Sequence, residues 1–282
     1  MLRKLSTWLS QNKSPLAKLG GMSAPIVVGG TGGSGTRVVQ ALLSDVGVYM
    51  GKALNQPGDA MQFEPLLDEK INPVLSQVHS LDYTPDAVEK ELRKEILQII
   101  HQTAALYIED MPQGANSEGN PRWGWKNPRS MFLLPLIHSV FPELYYIHVV
   151  RDGRDMAFSK NQNQPHKHYQ ALFNKPYSAS TREKAAVQAI ELWSKANLDT
   201  AAYGEKQLKE RYIRVRFEDL CQNPEAEAVR MLSALSIPRS PTEAALKSVE
   251  KPTSVGRFQE EADLIEAVTK AGRVGLKEFG YL

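Results

Sequence analysis

The chain has 282 residues, 42% hydrophobic and 23% charged, a globular composition that excludes a disordered or low-complexity polymer. Lys and Arg number 34 against 32 Asp and Glu, a net charge of +2, without the basic excess of a dedicated nucleic-acid binder. The single cysteine, Cys221, excludes an intrachain disulfide and a cysteine-rich zinc site, and it suits a reducing compartment.

No acidic residue precedes Asp45, whereas Arg3, Lys4, Lys13, Lys18 and Arg37 are basic. Leu2, Leu5, Trp8 and Leu9 share one helical face. Residues 1–24 therefore read as an N-terminal extension, a surface helix packed on the domain. A short interfacial helix in peripheral membrane contact and a transit segment are the alternatives. No apolar run approaches the roughly 18 residues that span a bilayer, and there is no export signal, so the expected location is cytoplasmic.

Pro25-Ile26-Val27-Val28-Gly29 reads as a short buried strand. A glycine-rich turn over residues 29–35 follows, then a helix from about Ser34 to Val46 with Val38, Val39, Leu42 and Leu43 at helical spacing. A second helix is predicted from Pro85 to Tyr107, where Pro85 suits a first turn. Residues 112–122 form a polar loop. A strand over Arg122–Lys126 and a helix over Pro128–Val140 come next. Leu144–Val150 is the clearest strand, rich in aromatic and β-branched residues. It leads through Arg151-Asp152-Gly153 into a helix near Asp155. Residues 160–180 show little periodicity and read as a loop or lid. A long helix over Ala185–Leu208, a strand over Tyr212–Phe217 and a helix from Asn223-Pro224 follow. Residues 251–260 are a loop, and a last helix ends near Gly272.

Strands that alternate with helices define an α/β fold: a three-layer sandwich with a central, mainly parallel sheet flanked by helices. No internal repeat or linker interrupts it, so residues 25–282 form one domain. Such sheets bind ligands beyond the carboxyl ends of their strands, where two segments of this chain carry chemistry. Residues 30–37, Gly-Thr-Gly-Gly-Ser-Gly-Thr-Arg, aim backbone N–H groups and a positive helix end outward, a phosphate-binding geometry. A phosphoryl-transferring loop would read G-x-x-x-x-G-K-[ST]. Gly30 and Gly35 keep that spacing, but Thr36 and Arg37 replace the lysine and the magnesium-ligating hydroxyl. The second segment, Arg151 to Ser159, places two arginines and a hydroxyl at another strand end, and Arg presents a planar fork suited to phosphate oxygens.

Taken in order, these segments resemble the sulfotransferases that use 3′-phosphoadenosine-5′-phosphosulfate (PAPS), a family of P-loop NTPase-like α/β fold. Gly33-Ser34-Gly35-Thr36-Arg37 resembles the 5′-phosphosulfate loop, and Arg151 with Ser159 the R-x7-S motif for the 3′-phosphate. Lys126-Asn127-Pro128, Arg216-Phe217-Glu218-Asp219-Leu220, Ser254-Val255-Gly256-Arg257-Phe258 and Phe279-Gly280-Tyr281 resemble four later family segments. The resemblance implies that Gly32, Gly33, Ser34, Gly35, Thr36 and Arg37 hold the 5′-phosphosulfate. It implies that Arg151 and Ser159, helped by Arg257, hold the 3′-phosphate, and that Lys126 sits near the transferring sulfuryl group. The product would be 3′,5′-ADP, and no metal is expected.

Two departures from the family pattern matter. Gly33 stands where the family carries Lys or Arg, so Arg37 or Lys126 is expected to supply the leaving-group charge. Val38 stands where a tryptophan often follows the loop, which leaves Phe258 as one candidate adenine platform. Glu64 is the expected general base, with Asp59 and then His79 as rivals. The acceptor is a small molecule, sugar or lipid bordered by residues 160–180. The sequence names neither the acceptor nor an oligomeric state. The competing readings are a magnesium-dependent kinase or NTPase and a PAPS-binding module whose catalysis has decayed.

Overall fold

The computed structural model describes Leu19 and residues 22–111 and 121–282. The amphipathic segment expected over residues 2–9 and most of the expected 112–122 loop lie outside the described residues. Four strands form one parallel sheet in the order β2-β1-β3-β4. They are β1 (Ile26–Gly30), β2 (Gly124–Lys126), β3 (Tyr145–Val150) and β4 (Tyr212–Arg216). The register pairs Val28 with Lys126, Gly30 with Val149, and Val150 with Arg216. The glycine turn, Lys126, Arg151 and Arg216 thus leave the sheet at one edge, where parallel α/β sheets place their ligands.

The period of two along each strand sorts side chains between the faces. Val27, Trp125 and Tyr146 belong to one apolar cluster, packed with α2 (Glu64–Val78), α3 (Lys90–Glu109) and α4 (Leu134–Val140). Phe63 stacks on Trp125 there, with ring centroids 4.4 Å apart and planes 13° from parallel. Val28, Ile147, Val149, Ile213 and Val215 face the other cluster, covered by α1 (Thr36–Asp45) and α9 (Pro224–Ala234). A third cluster joins Val150 to α7 (Arg182–Tyr203), α11 (Ile265–Ala271) and α12 (Arg273–Glu278). The remaining helices are short: α5 (Gly153–Ala157), α6 (Asn163–Phe173), α8 (Phe217–Gln222) and α10 (Glu243–Lys247).

The helices depart from the apolar pattern where capping or buried polar residues decide. Residues 160–180, expected as a loop, contain α6, whose buried face includes Gln164 and His168 beside Tyr169, Ala171 and Leu172. A hydrophobic template counts the first two as solvent-facing. α2 escapes the same template because Pro65 opens it and Pro73 lies inside it. Proline removes a helical N–H, and burial of Leu66, Leu67, Ile71, Val74 and Leu75 outweighs that loss. Pro85 begins a separate 3-10 turn, and α3 starts after Glu89, whose carboxylate accepts from Glu91 N and Leu92 N. The helix expected over 128–140 is a 3-10 turn, Pro128–Leu133, followed by α4. α7 begins earlier than its apolar pattern, at the Thr181 cap, and ends in a π turn over Gly204–Leu208. α12 follows the expected last helix.

Candidate active site

The turn between β1 and α1 is held open by backbone conformation. Gly33 and Gly35 have φ of +91° and +94°, and a Cβ on Gly35 would fall 2.1 Å from the Phe217 ring. That conformation and that closeness both require glycine. α1 has no side-chain cap and no acidic residue in its first turn. Its first amides, Thr36 and Arg37, have no intrahelical carbonyl to bond. Ser34 is fully buried, and its Oγ has no hydrogen-bond partner among the described residues. A buried hydroxyl left in this state costs roughly 1–3 kcal/mol, so it calls for an acceptor. Phosphate oxygens against a helix N-terminus meet that demand.

Arg151 leaves the end of β3 almost fully buried. Its Nη2 donates to Asp155 Oδ2 at 3.0 Å, to Ser254 Oγ at 3.1 Å and to the Ser254 carbonyl. Its guanidinium lies 5.5 Å from the centre of the Phe217 ring. Nε is buried without a partner among the described residues. Asp155, fully buried, also accepts from the amide of Gly256, at 2.9 Å. The β3 end is thereby tied to residues 254–257, and Arg257 Nε donates to the Ser254 carbonyl at 3.1 Å. Burial, and next the neighbouring charge of Arg151, push the Arg257 guanidinium below its ordinary value.

At the end of β2, Lys126 is 1% exposed. Its ammonium donates to the Pro57 carbonyl and to Asp59 Oδ1, the latter at 2.6 Å. Burial pushes its pKa down, Asp59 partly opposes that, and Arg37 adds to it. Arg37 itself is exposed, and its guanidinium makes no hydrogen bond or ion pair with the described residues. Glu64 accepts from Asn127 Nδ2 at 2.7 Å and from Arg129 Nη2. Arg129 continues to Asp68, and Asp68 to Lys167 on α6.

These three strand ends open into one cleft of about 700 Å³. Gly32, Gly33, Gly35, Thr36, Arg37, Lys126 and Arg151 line it. Ser34 lies buried in the turn. Arg257 does not line the cleft, although its Nε donates to the carbonyl of Ser254, which does. Ser159 is half-buried, and its Oγ accepts from the amide of Asn161, a lining residue. Glu64 does not line the cleft, whereas Asp59 does. His79 ends α2 with Nδ1 3.0 Å from the Ala171 carbonyl, away from the lining. The Phe258 ring lies 4.0 Å under the Arg154 guanidinium, also outside the lining. Val38, which stands where a tryptophan often follows the loop, lines the cleft; sequence reasoning missed Ala41 of α1 and Ser248, Glu250 and Pro252. Ala41 is a small apolar helix residue that no motif singles out. Residues 248–252 carry no periodicity and no motif.

A glycine turn, a buried arginine and a buried lysine thus share one cleft at the carboxyl ends of a parallel α/β sheet, a set of donors suited chemically to phosphate oxygens. The chain belongs to the sulfotransferase family, whose sequence model matches residues 25–241. No curated protein matches the chain by sequence. Among solved structures, sulfotransferase STF9 from Mycobacterium avium is 13% identical, with a TM-score of 0.56 over 97% of this chain and 81% of that one. Sulfotransferase STF1 from Mycobacterium tuberculosis is 14% identical, with a TM-score of 0.52 over 95% and 81%. A sulfotransferase domain from the curacin biosynthetic pathway is 13% identical, with a TM-score of 0.51 over 93% and 99%. At these identities the likeness is one of fold. Among the described residues no helix is long and apolar enough to cross a membrane.

Proposed function

We propose that the chain transfers a sulfuryl group from PAPS to a hydroxyl or amine of a small-molecule, sugar or lipid acceptor, with release of 3′,5′-ADP. One observation carries this reading. Two buried donors without partners among the described residues, Ser34 Oγ and Arg151 Nε, belong to turns that line a single cleft. Arg151 Nη1 lies 3.5 Å from the carbonyl of Gly33, next to Ser34, so the two donors stand on adjoining turns, where the phosphate groups of a nucleotide such as PAPS supply acceptors for both.

In this reading residues 32–37 hold the 5′-phosphosulfate through amides, the Ser34 and Thr36 hydroxyls and the Arg37 guanidinium. Arg151, Ser159 and Arg257 hold the 3′-phosphate. Val38, Ala41 and Pro252, apolar residues of the cleft lining, take the purine. PAPS supplies an activated sulfuryl group. Gly33 brings no cation, so charge on the bridging oxygen falls to Arg37 and Lys126, the two cations that line the cleft beside Gly33 and at the end of β2. The free guanidinium of Arg37 supports its share of that role. Residues 25–282 act as one transfer domain, and residues 1–24 as an extension whose Leu19 and Met22 pack on the domain core.

The test is release of 3′,5′-ADP from PAPS across a panel of phenols, sugars and lipid alcohols. Acceptor-dependent release, abolished in Arg151→Ala, is expected. Turnover of Mg-ATP without any turnover of PAPS contradicts the reading.

A further inference from the structure

We propose that Asp59 is the proton acceptor of the transfer, that Lys126 keeps it closed until the donor binds, and that Asn55 positions it. This rests on the sulfuryl-transfer reading above. The turn over residues 55–59 is built onto the end of β2. Gly58 N donates to Asn55 O at 2.9 Å, and Ala60 N to Lys126 O at 2.9 Å. Gly58 has φ of +80°, a left-handed conformation that favours glycine in a tight turn. The turn thereby sets a carbonyl, from Pro57, and a carboxylate, from Asp59, on one buried ammonium.

The two oxygens of Asp59 are held differently. Oδ2 accepts from Asn55 Nδ2 at 3.0 Å, while the Asp59 amide donates to Asn55 Oδ1 at 2.7 Å. This reciprocal clamp fixes the carboxylate plane within one turn. Oδ1 is held by Lys126 Nζ. Lys126 also feels Arg37, and both line the cleft, so an anion entering there competes with Asp59 for the ammonium. As Lys126 turns to the anion, Oδ1 is released and Oδ2 stays clamped. Glu64 has no comparable freedom, because Asn127 and Arg129 take its two oxygens and it lies off the cleft lining.

The step then balances. The acceptor O–H proton passes to Asp59 Oδ1 while the acceptor oxygen bonds to sulfur. The bond from sulfur to the bridging oxygen breaks, and its electron pair stays on the 5′-phosphate of 3′,5′-ADP. Asp59 leaves protonated and returns its proton to water.

The test compares wild type, Asp59→Asn and Asn55→Ala by calorimetric titration with 3′,5′-ADP and by pH-rate profiles with PAPS. Asp59→Asn is expected to bind 3′,5′-ADP about three- to tenfold more tightly, since the internal competitor for Lys126 is gone. Its kcat is expected to fall by about 10²–10⁴-fold, the usual contribution of a general base, and the acidic limb of its profile to vanish. Structural damage would weaken binding and turnover together. Asn55→Ala is expected to lose kcat several-fold at unchanged 3′,5′-ADP affinity. Weaker binding by Asp59→Asn, a retained acidic limb, or unchanged kcat in Asn55→Ala overturns the proposal. Failure of the wild type to bind 3′,5′-ADP instead overturns the sulfuryl-transfer reading itself.

Discussion

Single residues at the strand ends carry the sharpest consequences. Gly35 combines a left-handed φ with contact against the Phe217 ring. Gly35→Ala must displace that ring or refold the turn, and strain of this kind costs about 1–3 kcal/mol. We expect a lower denaturation midpoint and loss of 3′,5′-ADP binding together, read by chemical denaturation and calorimetry. Arg151 separates charge from shape. Arg151→Lys keeps the ion pair with Asp155 in reach but removes the fork, so nucleotide affinity should fall tenfold or more with little loss of stability. Arg151→Met also strands the buried Asp155 carboxylate, a loss of about 3–5 kcal/mol. Equal nucleotide affinity in wild type and Arg151→Lys would contradict the role given to this side chain. The glycine turn and the arginine were legible in the sequence because their chemistry is local, within Gly30–Arg37 and Arg151–Ser159. The pairing of Lys126 with Asp59 was not, since the two are 67 residues apart. A carboxylate's value as a base depends on which oxygen its neighbours leave free, and that arises only in the folded chain.

At the scale of elements, capping and buried polar contacts set the helix ends. The Thr181 hydroxyl accepts from Lys184 N at 3.1 Å, and Thr181→Ala should lower stability by about 1 kcal/mol. The sheet carries a buried histidine between two elements: His148 on β3 meets Tyr212 OH at 2.7 Å and Asn197 Oδ1 of α7 at 2.8 Å. Asn197 Nδ2 donates to the Trp193 carbonyl, so its Oδ1 accepts from His148 Nε2, and Nδ1 accepts from Tyr212. Burial, the largest influence, pushes His148 down from 6.5 to about 4, and His168 to about 3. The unfolded chain therefore takes up these protons first as the pH falls. Their contribution is complete above about pH 6.5 and declines as the pH drops toward 4, by about 1.4 kcal/mol per pH unit for each histidine. Denaturation between pH 7 and pH 4 should show a shallower fall in His148→Gln than in wild type. Identical slopes would contradict the assignment. Strands and α1 were legible because their apolar residues keep one period. α6 was not, because Gln164 and His168 occupy its buried face.

For the whole molecule, one parallel sheet brings residues from sequence positions 32 to 254 around a single cleft, and the carboxyl-end rule forecast that edge from the sequence alone. Ser248, Glu250 and Pro252 also line that cleft, and no sequence pattern announced them. Under the proposed function this cleft binds both phosphates of 3′,5′-ADP, through the Ser34 turn and Arg151. Its most direct test is thermal stabilisation of the wild-type chain by 3′,5′-ADP, 5′-ADP and Mg-ATP at equal concentration. Saturation at about 100 times the dissociation constant adds roughly 2.7 kcal/mol to folding. 3′,5′-ADP is expected to stabilise the chain well beyond the other two, and Arg151→Lys to remove the difference. Stabilisation by Mg-ATP equal to or greater than that by 3′,5′-ADP would contradict it.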